Sequence, residues 1–242
     1  SDTMTETPRT QASVSAWDLP IRVFHWTLLA LVVWAWVSVS FAEALGDTTL
    51  VYHRINGLAI LTLIVWRILW GFAGSSTARF TGFVRGPLTV ASYAGALLRG
   101  RARRYLGHNP MGGLMVLALL ATVATIGSLG LFAVDDNDLV GGPLYRLVGE
   151  SQNIRLTRLH DQIFYTALLP LVMLHIAVNS LYTLVKKDPL IQAMVTGRKP
   201  AMDYADAPRA APVSLSRSVV LLATAAAIVL GGILALGGSL RL

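Results

Sequence analysis

The chain holds five histidines, and four of them, His25, His53, His160 and His175, fall in or at the edges of strongly apolar stretches. An ionisable ring at membrane depth is costly and by default marks a site. His160 and His175 are 15 residues apart, which on one helix is a rise of about 22 Å and a rotation of about 60° beyond whole turns. One helix therefore offers two ligands to the same side, at two depths. His53 opens its own apolar stretch on the side where His160 lies, and His25 sits about 26 Å below the far end of its stretch, near the depth of His175. The expected pairs are His25 with His175 and His53 with His160. Two facing imidazoles that fill both axial positions suit a low-spin haem and leave no open site for oxygen chemistry. Zinc is the competing metal, but a structural zinc wants four ligands at one level and only two are present at each. A single membrane histidine is often merely packed; four at matched depths read as two haem sites. His108 lacks such a partner, lies in a turn, and is read as structural.

Those histidines must be held by helices. With 54% hydrophobic and 14% charged residues, and a mean hydropathy of +0.59, the chain is too apolar for an ordinary soluble domain. Five stretches reach the roughly 20 apolar residues that a membrane crossing needs: 23–42, 55–73, 114–134, 163–185 and 219–236. The alternation of a barrel is absent, so the fold class is all-α, an integral membrane helical bundle. Residues 1–16 read as a disordered tail, 17–200 as the four-helix unit that carries the histidines, 201–214 as a linker and 215–242 as a fifth helix. Residues 1–15 lack the pattern of a signal peptide, and Met4 suggests that Ser1 to Thr3 are an appended remnant. Asp18 and Pro20 form a helix start, residues 88–98 an interfacial helix with a basic end from Arg99 to Arg104, and Asn109-Pro110 the start of the third span. The last helix carries small residues at every fourth position, Ala223, Ala227, Gly231, Ala235 and Ser239, a stripe that suits close packing in its own chain or a homodimer contact.

There is no cysteine. Disulfides, thiolate-bound clusters and covalent c-type haem are thereby excluded, and any haem is non-covalent. Two haem b groups would bring propionates that need cations. Arg22, one turn before His25, and Arg67, within an apolar run between Trp66 and Trp70, are candidates at one level; Arg54 and Arg158 are candidates at the other. For Arg22, Arg54 and Arg158 simple snorkelling to the interface is the equal alternative. Phe24, Trp26, Trp34, Trp66, Phe164 and Tyr165 could line a porphyrin, with ordinary core or lipid-belt packing as the plainer reading.

The residues resemble a family, the bacterial cytochrome b561 and nickel-iron hydrogenase cytochrome b subunits. The matching pieces are Asp18 to Trp26 around His25, His53 with Asn56-Gly57 and Trp66-Arg67, the Gly107-His108-Asn109-Pro110 turn, and His160 with His175 followed by Asp188. The resemblance covers roughly residues 17–200 and carries over His25, His53, His160 and His175 as axial ligands. It implies four core helices with two haem b groups, quinone chemistry on one side and a redox partner on the other. The expected function is transmembrane electron transfer between the quinone pool and a periplasmic redox protein, a c-type cytochrome or a hydrogenase-like enzyme, with no catalytic side chain of its own. The rivals are a stand-alone quinone oxidoreductase acting on a small oxidant such as superoxide, and a haem-stabilised membrane anchor. The fifth helix lies beyond the resemblance.

Most of the 20 Lys and Arg residues, including Arg99, Arg101, Arg103, Arg104, Lys186, Lys187, Arg198 and Lys199, fall on the side that carries the N-terminus. Acidic residues such as Glu43, Asp135 and Glu150 fall on the other. This asymmetry places the N-terminus in the cytoplasm and the C-terminus in the periplasm of a bacterial inner membrane. The net charge of +7 is then a topology signal directed at anionic lipid, with no nucleic-acid partner. A reporter fused after Leu242 is expected to be accessible from outside, and one inserted within 99–104 from the cytoplasm. Labelling of both from one side refutes the five-span count.

Overall fold

The computed structural model describes residues 12–46, 48–135, 140–206 and 213–241. Most of the expected tail (1–11), part of the acidic loop (136–139) and the middle of the expected linker (207–212) lie outside the described residues. The described elements are β1 (Ser13–Ser15), α1 (Leu19–Ser40), α2 (Ala42–Leu45), α3 (Thr49–Ala73), α4 (Phe80–Phe83), α5 (Pro87–Leu98), α6 (Pro110–Gly130), α7 (Glu150–Ile163), α8 (Leu169–Leu184), α9 (Leu190–Thr196), β2 (Arg198–Pro200) and α10 (Leu215–Ala235). Five helices are long and apolar enough to span a membrane: α1, α3, α6, α10, and the run Glu150–Leu184, which joins α7 to α8 through a π-helical segment, Phe164–Leu168. The chain is a multi-pass helical membrane protein.

Each span starts where local chemistry lets it. Asp18 caps α1 by accepting from the Ile21 N–H at 2.7 Å, and Pro20 sits in the first turn. Asn109 caps α6 in the same way, accepting from the Gly112 N–H at 2.8 Å ahead of Pro110. The π segment falls just before Pro170, which has no N–H to offer; the Leu169 N–H closes the wider turn on the Phe164 carbonyl. The fourth span, Glu150–Leu184, is longer than its apolar stretch and contains His160, expected at its edge.

α3 is the axis of the bundle. It packs against α1, α6 and α10, and α6 in turn packs against α7 and α8. Its buried face carries Ile60, Ile64, Trp66, Arg67 and Trp70. The other spans leave most of their apolar side chains exposed, Leu29, Val33, Met173 and Val219 among them, as lipid-facing surfaces do. Without water between helices, contact rests on small residues and hydrogen bonds. A Cβ on Gly127 would come within 2.7 Å of Leu61, so glycine lets α6 lie close on α3. The Asn56 amide donates to the Leu31 carbonyl at 2.9 Å and ties α3 to α1. At the end that carries the N-terminus, Asp18 also accepts from the Trp70 indole at 3.2 Å, and Phe24, Trp66 and Trp70 stack in the core.

α10 is fastened to α3 along its length. The Trp66 indole donates to Ser218 O at 3.1 Å, Arg217 to Ala73 O at 3.2 Å, and Arg54 to Ser239 O at 2.6 Å. Ala225 and Ile233 are its buried residues, while Ala223, Ala227, Gly231 and Ala235 are exposed. The small-residue stripe thus faces away from the rest of its own chain.

The segment after α8 folds back into the structure. Lys187 adopts a left-handed φ of 54° and turns the chain so that Asp188 points inward. α9 follows, ended by Gly197 at φ 79°, and β2 then pairs antiparallel with β1, Val14 opposite Lys199. Lys199 had been expected beside lipid with the other basic residues. Its side chain is instead 1% exposed, 3.0 Å from Asp188 and donating to Tyr105 O at 2.9 Å. Burial lowers its pKa, and the Asp188 carboxylate opposes that shift. Removing one member of a buried pair typically costs about 3–5 kcal/mol, because the other charge is stranded. Asp188→Ala is therefore expected to lower the thermal transition of the purified chain strongly, and adding Lys199→Met to recover most of the loss. A single variant as stable as the parent would show that the pair does not hold this end together.

Candidate functional site

α1 and α3 carry His25 and His53; α8 and α7 carry His175 and His160. Ile60 and Ile64 of α3 share a buried cluster with Leu168 of the π segment, and the histidine rings of α1 and α3 face those of α8 and α7. The His25 and His175 rings are 6.2 Å apart centre to centre with planes at 42°, and the His53 and His160 rings 6.1 Å apart at 85°. A metal held by two imidazole nitrogens at about 2.0–2.1 Å each, with about 1.1 Å from nitrogen to ring centre, sets the centres about 6.2–6.4 Å apart. Both gaps have the width of one metal atom. The π segment between His160 and His175 takes back about 90° of rotation, leaving the two within about 30° of each other on the helix face.

Hydrogen bonds decide which nitrogen faces the gap. His53 Nδ1 lies 3.1 Å from Ala35 O and 3.1 Å from Ser38 Oγ, and Ser38 is fully buried. His160 Nδ1 lies 2.8 Å from Ile126 O. A carbonyl only accepts, so each Nδ1 carries the hydrogen and each Nε2 keeps its lone pair for a ligand bond. His175 Nδ1 lies 3.4 Å from the Asn179 amide, which donates to the His175 carbonyl at 2.7 Å. His25 Nδ1 is buried with no hydrogen-bond partner among the described residues.

Two glycines shape the space. Gly57, one turn beyond His53, would meet nothing within 4 Å if it gained a Cβ, so room is open beside that ring. A Cβ on Gly130 would lie 3.0 Å from His160 Cε1, so α6 can pass behind the ring only without a side chain there. No group of three or more His, Asp or Glu side chains suited to a metal occurs among the described residues. Each level brings two imidazoles face to face, a donor set that would suit a flat macrocycle rather than a tetrahedral ion.

The expected arginines divide. Arg67 is 2% exposed, with Nη2 donating to Ala78 O at 3.1 Å, its plane over Phe80 and Phe83, and Nη1 buried without a partner. Arg22 donates to Val195 O and Arg54 to Ser239 O, and the Nε of each is buried and unpartnered. Each of the three retains a donor for an acidic group. Arg158 is exposed. His108 does not join a pair: it packs between Trp17 at 4.7 Å and Phe83 at 4.9 Å. Burial first, then the nearby Arg67 cation, holds its pKa down at about 3, so it is neutral at physiological pH. Phe24 and Trp66 belong to the core, and the Trp26 indole donates to Met194 O at 3.2 Å.

Sequence pattern alone does not single out Ser38 and Gly130, which support the histidines. The available signal was a small polar residue inside an apolar run, which needs a partner at that depth. The family model described as prokaryotic cytochrome b561 matches residues 16–197. Two curated relatives, from Azotobacter vinelandii and Azotobacter chroococcum mcd 1, are each described as a probable Ni/Fe-hydrogenase B-type cytochrome subunit. Each is 25% identical over 222 residues, covering 79% of this chain and 90% of the relative.

Proposed function

This chain belongs to the prokaryotic cytochrome b561 family, and from that premise we propose that it is a di-haem electron carrier of a bacterial inner membrane, exchanging electrons between the quinone pool and a periplasmic redox partner. The family makes it a membrane b-type cytochrome that works in electron transfer. The observation that carries the finer reading is the two histidine pairs, each one metal atom wide, facing each other at two depths. Bound there, haem b supplies a reversible one-electron couple; the protein supplies position and field.

His25 and His175 hold one iron and His53 and His160 the other. Ala35 O and Ile126 O keep the Nδ1 hydrogens of His53 and His160 in place, so that neither ring can turn its other nitrogen toward the gap. The free donors of Arg22, Arg54 and Arg67 take the propionates. The basic end, with Arg99 to Arg104 and Lys186 and Lys187, faces the cytoplasm. The relatives' description favours a hydrogenase-like enzyme over a cytochrome c as the partner.

The purified chain is expected to show a low-spin b-type spectrum with about two haems per polypeptide, extractable by acid acetone because no cysteine can fix them. His25→Ala and His175→Ala each remove or convert one haem and spare the other, and His53→Ala and His160→Ala do the reverse. His108→Ala retains both. The reading fails if the His25 and His53 variants lose the same haem, or if a His175 variant keeps two bis-histidine spectra. Rapid oxidation by superoxide of the isolated chain, without any protein partner, would instead favour a stand-alone oxidoreductase.

A further inference from the structure

The basic end holds a pocket that the histidine sites do not use. It is a cavity of about 210 Å³ where the interfacial helix α5, the basic segment after it and the end of α8 meet, lined by Tyr93, Arg103, Arg104, Tyr182, Lys186 and Asp188. We infer that this pocket binds the phosphodiester of an anionic phospholipid, with the acyl chains lying on the exposed apolar turns that lead into it.

Charge comes first. Asp188 is already neutralised by Lys199 at 3.0 Å, and Arg103 pairs with Asp203 at 3.1 Å. Arg104 and Lys186 have no acidic partner within ion-pair distance among the described residues. They are nevertheless held side by side, because Arg104 donates to the Lys186 carbonyl at 2.8 Å while the Lys186 ammonium lies 5.0 Å from the centre of the Tyr182 ring. Two like charges fixed together in a concave site repel each other until an anion lies between them.

A buried donor points to the same ligand. Tyr93 and Tyr182 are each 8% exposed, and their hydroxyls lie 3.2 Å apart. Two phenols carry two hydrogens, and the bond between them uses only one. The second has no acceptor among the described residues and lies in the pocket lining. Burial and the neighbouring Tyr182 hold the Tyr93 pKa well above its ordinary value, so it stays a donor and never becomes a competing anion. A phosphate oxygen accepts from that phenol while the others meet Arg104 and Lys186. A neutral quinone could accept from the phenol but would leave both cations unpaired.

The surroundings fit a lipid rather than a soluble phosphate. Leu181, Leu184 and Val185, in the turns just before Lys186, are 51%, 66% and 68% exposed. α5, which carries Tyr93, ends on Leu98, which is 90% exposed. Basic pockets at helix ends beside such surfaces are where anionic headgroups seat.

The test uses the full purified chain in nanodiscs of phosphatidylcholine, with phosphatidylglycerol added and retained lipid counted by native mass spectrometry. At about 1 kcal/mol for each cation near the headgroup, Arg104 and Lys186 together give about thirtyfold preference for phosphatidylglycerol. Arg104→Gln with Lys186→Gln is expected to abolish that preference while the thermal transition in phosphatidylcholine alone stays in place. Tyr93→Phe weakens it. Arg99→Gln with Arg101→Gln, the same charge change outside the pocket lining, leaves it intact. The proposal is overturned if the two double variants lose phosphatidylglycerol equally, because attraction is then diffuse. It is also overturned if inorganic phosphate stabilises the chain as well as the lipid does, or if a short-chain quinone displaces the lipid.

Discussion

A polar group in hydrocarbon has no water to turn to, and nearly every specific contact in this bundle answers that one constraint. The imidazoles of His53 and His160 place their ring N–H groups on the carbonyls of Ala35 and Ile126, atoms already engaged in helices. The amide of Asn56 and the indole of Trp66 end on the carbonyls of Leu31 and Ser218. In each case a side chain on one helix borrows a backbone acceptor from the next, so satisfying a donor also fixes a distance between helices. Packing of apolar side chains could not do this, because lipid is as good a neighbour as another helix. The positions of the histidines are therefore set by hydrogen bonds that the membrane makes obligatory.

The same constraint accounts for the architecture around the gap. α3 can stand at the centre because its own polar residues, Asn56, Trp66, Arg67 and Trp70, all find partners on neighbouring elements. α7 and α8 pack on α6, and the π segment re-aims His175 to the face that His160 uses. The bundle closes where these donors meet a neighbour's backbone, while buried nitrogens of Arg22, Arg54 and Arg67 stay without a partner among the described residues. Gly57 and Gly130 shape the histidine sites, one by opening space beside His53 and the other by letting a helix pass behind His160.

Much of this was legible in the sequence because the signals were long or repeated. Five apolar stretches, the Asp18 and Asn109 caps and the interfacial helix follow from periodicity and from residues with one dominant local role. The matched depths of four histidines needed only the rise of a helix, and the structure brings together the rings that this arithmetic pairs. What escaped depends on contacts far apart in the chain. Lys199 reads as one more surface cation until Lys187 turns Asp188 back toward it, and Val14 reads as part of a tail until β2 lies beside it. Ser38 carries too little signal singly; only His53 on the next helix gives it a role. The small-residue stripe of α10 was visible, but which face meets α3 is decided by Trp66, Arg217 and Arg54, not by the stripe.

The two histidine levels are not equivalent. At the His53 and His160 level the ring hydrogens meet carbonyl oxygens, dipoles that push electron density toward the opposite nitrogen. At the His25 and His175 level the His25 Nδ1 has no partner among the described residues, and the His175 Nδ1 lies beside the Asn179 amide rather than a carbonyl. His108, which feels both of these histidines, also feels Arg67 and Lys199. Arg67 is held there by Ala78, Phe80 and Phe83, and Lys199 by Asp188 and Tyr105, all contributed by segments outside the spans. The two levels therefore differ in what meets the ring nitrogens: oriented carbonyls at one depth and, among the described residues, no carbonyl at the other. The folded-back segments add the partners of Arg67 and the Lys199–Asp188 pair at the end that carries the N-terminus.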